Sequence, residues 1–373
     1  MKRVNRRVTT IANKFLILGF IALLSFSIGV GAAETLTSVN VSTAPVIDGI
    51  PESIWDQANP ISINVSGGFN NSSTTVILKS IYTNDSVYFL AQWADPTQSL
   101  RREPWVKQPN GSWIQLKDPN DTGGDNNQYY EDKFAQIWNI NTSAFEASGC
   151  FALCHAGEAG KPYGNKYTPN TSETADLWHM KIVRTNPTGY IDDQYVDSTR
   201  YNVTSAPEAG RKSDPGLVPY YTNGLNASTK TPNFTSADQP AQINKTYWIL
   251  DDLKQPFNDT YAANDEIAAI IARPPTDDRA DIRGKAVYTD GNWTMEYGRK
   301  LTTGSQYDVQ FSDLQKEYTF GTAIFDNAQV RHSYASGVSK LVFTEATTPA
   351  ATTVAPTPTE APGVTVTVSQ PYP

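Results

Sequence analysis

The two cysteines of this chain, Cys150 and Cys154, are separated by three residues, and a histidine follows the second directly, in Gly149-Cys-Phe-Ala-Leu-Cys-His155. Two thiols beside an imidazole can do one of three things. They can add across the vinyl groups of a haem as thioethers, with the imidazole carried beneath the iron; the usual signature is Cys-X-X-Cys-His. Here one more residue intervenes, so the loop must bulge to keep a thioether spacing that the macrocycle fixes. The thiols can instead pair as a disulfide, the ordinary state of neighbouring cysteines outside the cytoplasm. Or they can share a zinc ion with His155 and a fourth ligand brought from a distance. Of the three, only haem accounts for the adjacent histidine.

Two histidines remain, His179 and His332, so an imidazole serving as a second axial ligand must come from one of them. His179 lies in Trp178-His-Met-Lys181, where strand alternation sends His179 and Lys181 to one side and Trp178 and Met180 to the other. His332 lies in Val330-Arg-His-Ser333, after an apolar stretch ending near Asn327. Either can equally be a hydrogen-bonded structural histidine. Met180 and Met295 are the thioether alternatives, though buried methionine is more often a packing residue.

The elements that must position these groups are strands. Val76–Tyr82 and Val87–Trp93 alternate at period two on either side of Asn84-Asp85-Ser86, which predicts a hairpin. Further strands are expected over Lys133–Ile140, Leu177–Val183, Gly284–Tyr288, Trp293–Leu301, Asp308–Phe311, Tyr318–Phe325 and Lys340–Phe343. Helical periodicity is scarce, with Asp265–Ile271 the best short candidate. The pattern predicts an all-β protein, an antiparallel β-sandwich with long ordered loops and a few short helices. From Ala156 to about Asn264 the chain is rich in Gly, Pro, Asn, Asp and Tyr. It is expected to form ordered loops over one end of the sandwich, where a ligand would sit.

The ends of the chain read differently. Residues 1–33 carry Lys2, Arg3, Arg6, Arg7 and Lys14 and no acid, then an apolar run from Phe15 and small residues up to Ala33. That is a signal peptide or an N-terminal membrane anchor, and either places the folded part, 36–344, outside the cytoplasm. Residues 345–373 are Thr/Pro-rich and read as a disordered stalk. Sequons are dense, including Asn40, Asn64, Asn84, Asn110, Asn170, Asn226 and Asn292, which suits an exported glycoprotein. Without residues 1–33 the chain holds 25 basic and 38 acidic side chains, a net charge of −13. Phosphate backbones would repel such a surface, so no nucleic acid is expected as a partner. No Ser/His/Asp set, HExxH motif or Gly-rich phosphate loop suggests an enzyme in its own right.

Ala44-Pro-Val-Ile-Asp-Gly49 with Ile54-Trp55 resembles the opening strand of family 9 carbohydrate-binding modules and DOMON-like sandwiches. Several later stretches, in order, resemble the haem-binding domain of ethylbenzene dehydrogenase gamma subunits and cytochrome c-552-type proteins. They are Val87-Tyr-Phe-Leu-Ala-Gln-Trp-Ala-Asp-Pro-Thr97, Tyr130-Glu-Asp-Lys133, Gly149–Gly157, Ala175–Lys181, Arg184-Thr-Asn-Pro187, Asp192-Asp193, Trp293–Leu301, Asp308-Val-Gln-Phe311 and Phe320–Ser333. The resemblance implies one haem near a sheet end: haem c through Cys150 and Cys154, or haem b if attachment fails. It implies His155 as the proximal iron ligand and His332 as the first choice for the distal one. His179 is then a supporting residue or the alternative distal ligand, with Lys181 and Arg184 contacting propionates. The expected activity is electron carriage to or from a redox partner, another cytochrome or a molybdenum oxidoreductase. The competing expectations are a haem subunit of such a molybdenum complex, or an extracellular carbohydrate- or small-ligand-binding sandwich with a Cys150–Cys154 disulfide.

Overall fold

In a computed structural model of the chain, residues 34–154, 166–237 and 247–344 are described; of Cys154 only the backbone is. The strands in chain order are β1 (Thr35–Asn40), β2 (Ile61–Ser66), β3 (Ser73–Tyr82), β4 (Ser86–Ala94), β5 (Trp105–Lys107), β6 (Trp113–Gln115) and β7 (Lys133–Asn139). Two single-turn helices follow, α1 (Phe145–Ser148) and α2 (Phe151–Cys154). Then come β8 (Ala175–Lys181), β9 (Asp192–Val196), β10 (Arg211–Ser213), β11 (Tyr220–Thr222), β12 (Phe234–Ser236), β13 (Ile249–Leu250) and β14 (Lys254–Pro256). The last seven are β15 (Glu266–Ile267), β16 (Ile270–Ala272), β17 (Arg283–Thr289), β18 (Asn292–Lys300), β19 (Tyr318–Phe325), β20 (Ser333–Ala335) and β21 (Ser339–Thr344).

Thirteen of these strands form one sheet, ordered β10-β9-β8-β7-β19-β20-β2-β3-β4-β18-β17, with β21 and β1 making a second bridge from β19 to β3. Joined twice in this way, the sheet folds over, and β7–β9 with β19 face β3, β4, β17 and β18. Phe89 on β4 shows the closure: its ring meets Trp138 of β7 and Trp178 of β8 at 5.7 Å each and Tyr297 of β18 at 5.2 Å. Tyr297 also donates its hydroxyl to Gln136 Oε1 across the core, at 2.8 Å. All ladders in this sheet are antiparallel except those of β1, which runs parallel to both β21 and β3. The expected antiparallel sandwich is therefore present, with one parallel strand closing it.

Most expected strands appear within a residue or two of their predicted ends, as period-two burial fixes register more firmly than boundaries. Two expectations fail. Asp265–Ile271 is not helical: Glu266–Ile267 pairs with β5, and Ile270–Ala272 pairs with β11 and β13. Its apolar run is buried from every side, which periodicity alone cannot tell from a short helix. Asp308–Phe311 is a loop rather than a strand, because its amides turn to partners outside any strand ladder: Val309 N–H donates to the Asp176 side chain and Phe311 N–H to the Leu301 carbonyl. The Ala156–Asn264 stretch supplies the short strands β8–β14, joined by loops. Trp105, Trp113, Ile249, Tyr261 and Ile271 pack there into a separate small core.

The expected leader (1–33) and stalk (345–373) lie outside the described residues. No helix among the described residues is long and apolar enough to cross a membrane. Of the seven sequons named above, six asparagines are exposed and Asn40 is half-buried.

Candidate functional site on the outer face of β7–β9

The alternation of β8 sorts its residues to the two sides of the sheet. Trp178 and Met180 enter the main core, whereas Leu177, His179 and Lys181 face outward. Register aligns them with Ile137, Ala135 and Lys133 on β7, and these with Gly321, Ala323 and Phe325 on β19. On the other flank stand Asp192 and Gln194 of β9. The row Ala135, Gly321, Ala323 is made of small side chains, which leaves a shallow floor between the larger groups at either end.

The Cys150 segment lies over this floor. Gly149 ends α1 at φ 55°, a left-handed conformation that glycine adopts without Cβ strain. A Cβ there would also press on the Gly337 carbonyl and Val338 at 3.3 Å. The turn brings Cys150 down onto Gly321, where an added Cβ would sit 3.4 Å from the Cys150 Cβ. Cys150, Phe145 and Leu153 are buried with Ala135, Ile137, Leu177 and Phe325 in one apolar cluster. Phe151 remains exposed, its ring edge-on to Tyr334 at 5.1 Å. His155 and the Cys154 side chain lie outside the described residues.

His179 is buried on this face. Its Nδ1 lies 3.3 Å from Gln194 Oε1, and its Nε2, equally buried, has no hydrogen-bond partner among the described residues. Since Gln194 Oε1 can only accept, the ring carries its proton on Nδ1 and presents a bare lone pair at Nε2. Burial, followed by the charges of Lys181, Lys133, Arg211 and Arg184, holds the imidazole well below its usual pKa and hence neutral. The His179 and Phe325 rings are 5.6 Å apart, and Phe325 in turn lies 4.5 Å from the ring of His332. His332, half-buried in the turn between β19 and β20, has Nδ1 2.8 Å from the Val330 carbonyl.

The two cations expected at propionates both have carboxylate partners. Lys181 is ion-paired with Asp192, which also accepts from Arg279 at 2.7 Å. Arg184 is ion-paired with Glu131, which Arg102 approaches at 3.3 Å, and its Nη1 donates to the Tyr220 hydroxyl at 3.0 Å. Sequence reasoning passed over Lys133. It is buried, donates to the Gln329 carbonyl at 2.8 Å and sits 3.9 Å above the Phe325 ring, and it has no ion-paired carboxylate among the described residues. Burial first, then Arg184, holds its pKa well below the usual lysine value. Gln194 was also missed, because nothing local in the sequence says which side chain will orient His179.

Residues 52–337 match the model of the ethylbenzene dehydrogenase family. The chain belongs to that family. A comparison with curated proteins found no match. Among solved structures the family member is similar to a family 9 carbohydrate-binding module from Caldicellulosiruptor kristjanssonii in complex with glucose, at 10% identity and a TM-score of 0.31, covering 83% of this chain and 96% of that one. It is also similar to a putative carbohydrate-binding protein from Bacteroides uniformis, at 7% identity and a TM-score of 0.35, covering 84% and 100%. Likenesses this distant concern the sandwich alone.

A haem tests well against these residues. The group needs a flat apolar slot, a strong neutral nitrogen donor and, for covalent attachment, thiols beside the slot. The Nε2 of His179, bare among the described residues, fits the nitrogen donor, and the buried Cys150 over the same outer face fits a thiol. Gln194, fixing the ring through its other nitrogen, is the arrangement by which ligating histidines are commonly oriented.

Proposed function

We propose that this member of the ethylbenzene dehydrogenase family is an extracytoplasmic monohaem c-type cytochrome that passes electrons to or from a protein partner. The observation that carries the reading is the buried, neutral His179 with its Nε2 bare and its Nδ1 tied to Gln194. An unpartnered buried imidazole nitrogen is costly, and binding iron removes that cost. Cys150 and Cys154 would hold the macrocycle by thioethers, each S–H adding across one vinyl group, and His155 would supply the proximal nitrogen. For the distal position we take His179 over His332, because His179 is buried with its Nε2 bare among the described residues, whereas His332 is half-buried in a turn.

When bound, the haem supplies one-electron redox chemistry. The protein's own residues do the rest. Phe325, Tyr334 and Leu153 exclude water from the slot, and a ligated His179 would keep its proton on Nδ1 toward Gln194. Lys181 and Arg184, paired with Asp192 and Glu131, stiffen the floor. Lys133 is the cation left to meet a propionate. The acidic surface suits a partner with a basic docking face, either another cytochrome or a molybdenum oxidoreductase of which this chain is the haem subunit. The N-terminal segment would serve as signal peptide or anchor.

The test is haem staining on a denaturing gel, and visible spectra, of the full chain made in a host with haem-attachment machinery. Staining with low-spin bands is expected in wild type and in His332→Ala; His179→Ala should keep the stain and lose the low-spin signal. A bare polypeptide mass with Cys150 joined to Cys154 would overturn the reading and favour a ligand-binding sandwich. Haem that is present but lost on denaturation would make it a haem b protein.

A further inference from the structure

On the opposite, inner side of the same strands lies a second group of buried charges. Asp176 of β8 and Asp193 of β9 face the core, and Asp308 reaches them from the loop after β18. Carboxylate oxygens of these three lie within 4.8 Å of one another. Asp214, just beyond β10, brings a fourth carboxylate within hydrogen-bonding reach of Asp308 and is itself 2% exposed. Arg299 of β18 is the cation among them, with Nη1 2.9 Å from Asp308 Oδ2 and Nη2 3.5 Å from Asp176 Oδ2.

Counting donors and acceptors shows what is missing. Among the described residues no donor reaches either oxygen of Asp193 or of Asp214, Oδ1 of Asp176 or Oδ1 of Asp308, all of them buried. Beside them the unpartnered donors are Trp178 Nε1 and Arg299 Nε. With all four groups ionised, six acceptors outnumber the two donors, and no re-aiming of side chains satisfies them all. Ionised, four carboxylates and one guanidinium also leave three uncompensated negative charges in a site without solvent, which no fold tolerates unaided. Asp193 is the decisive member: it is fully buried, both of its oxygens lack a hydrogen-bond partner among the described residues, and it faces Asp176 and Asp308 directly, while Asp214 sets a further carboxyl beside Asp308.

The other acidic trio in the molecule, Asp95, Asp132 and Asp326, differs in kind. It accepts from the amides of Thr97, Ser99 and Asn327, from Trp293 Nε1 and from the Thr97 hydroxyl, leaving Asp95 Oδ2 alone bare. That trio is provided for by protein donors, and the Asp193 cluster is not.

We propose that Asp176, Asp193, Asp214 and Asp308 form a site for a divalent hard cation, of which calcium is the best match. The donors are all oxygen, with no histidine or cysteine to favour zinc or copper. Six free oxygens from carboxylates that can bind through one or both atoms match calcium's 6–8 ligands and its irregular geometry better than the strict octahedron of magnesium. Two positive charges reduce the excess from three to one. The ion would tie β8 and β9 to the loop after β18, behind the sheet whose outer face carries His179.

The test uses the purified full chain, stripped with a chelator and re-equilibrated with calcium alone. Bound ion is counted by elemental analysis in wild type, Asp193→Asn, Asp214→Asn and, as the control for the other trio, Asp95→Asn. Terbium serves as a luminescent substitute, excited through the adjacent Trp178. The expected result is one ion fewer in Asp193→Asn than in wild type and Asp95→Asn, terbium emission displaced by calcium, and binding at least about tenfold weaker in Asp214→Asn. Should Asp193→Asn fail to fold, the Asp214→Asn affinity and the wild-type terbium signal decide. Equal ion counts and affinities in all folded variants, or infrared bands of protonated carboxyls persisting in saturating calcium and lost in Asp214→Asn, would overturn the proposal.

Discussion

Asp192 and Asp193 are neighbours on β9, both fully buried, and their surroundings are opposite. Asp192 faces outward and is held by Lys181 and Arg279; burial works to raise its pKa, but those two cations bring it below the ordinary value. Asp193 faces inward with both oxygens bare; burial raises its pKa, and Asp176, Asp308 and Asp214 raise it further against Arg299. The outer group gives each of its carboxylates cation partners and acts as a structural clamp under the His179 floor. The inner group is in deficit. Burial of charge alone therefore says little about function; a deficit of partners is the informative quantity.

That contrast can be broken by mutation. Asp192→Asn should cost about 3–5 kcal/mol in denaturant unfolding, because it strands Lys181 and Arg279 in the interior. Asp193→Asn should be neutral or stabilising when a chelator is present and destabilising only relative to the calcium-loaded wild type. Equal losses for the two under chelation would mean that the inner cluster is as well compensated as the outer.

Acidity separates the groups next. Asp214, raised from an ordinary 3.8 to about 9 by burial and then by Asp176 and Asp308, keeps a proton in the folded chain that the unfolded chain releases near pH 4. Its favourable contribution is complete below that value and is lost as pH climbs toward 9. Asp176, raised to about 7 by burial and Asp308 against Arg299, behaves likewise. Asp192 runs the other way, contributing at neutral pH and failing on acidification. In chelator, the melting temperature of wild type should fall from pH 5 toward 9 more steeply than that of Asp214→Asn, and calcium should flatten the difference. Parallel profiles would remove Asp214 from the account.

The smallest effect on stability is expected at Gln194. Gln194→Leu should move unfolding by about 1 kcal/mol while weakening axial ligation by His179 about 10- to 100-fold, read as a rise in high-spin signal. An unchanged spectrum would show that the imidazole is oriented by packing alone.

Much of the scaffold was legible in the sequence, because period-two alternation reports which side of a sheet each residue takes. It separated His179 and Lys181 from Trp178 and Met180 correctly. It could not say what those faces would meet. Lys181's partner Asp192 comes from the next strand, and its companion Arg279 from a turn nearly a hundred residues on. The inner cluster draws on β8, β9, the end of β10 and the loop after β18, so no local window holds it. Asp308 was even read as part of a strand; as a loop residue it is free to turn inward. The helix expected at Asp265–Ile271 failed for a related reason, since its hydrogen bonds were claimed by strands remote in sequence.

The parallel pairing of β1 with β21 has a mechanical consequence. Thr35 lies opposite Lys340 and Val39 opposite Thr344, so β1 begins at one end of this pair and β21 finishes at the other. Tension applied between those two segments would pull the strands lengthwise past each other, loading every rung of the ladder together instead of peeling them one by one. A protein tethered at one terminus and tugged at the other would thus resist by shear, at the very strand that closes its sandwich.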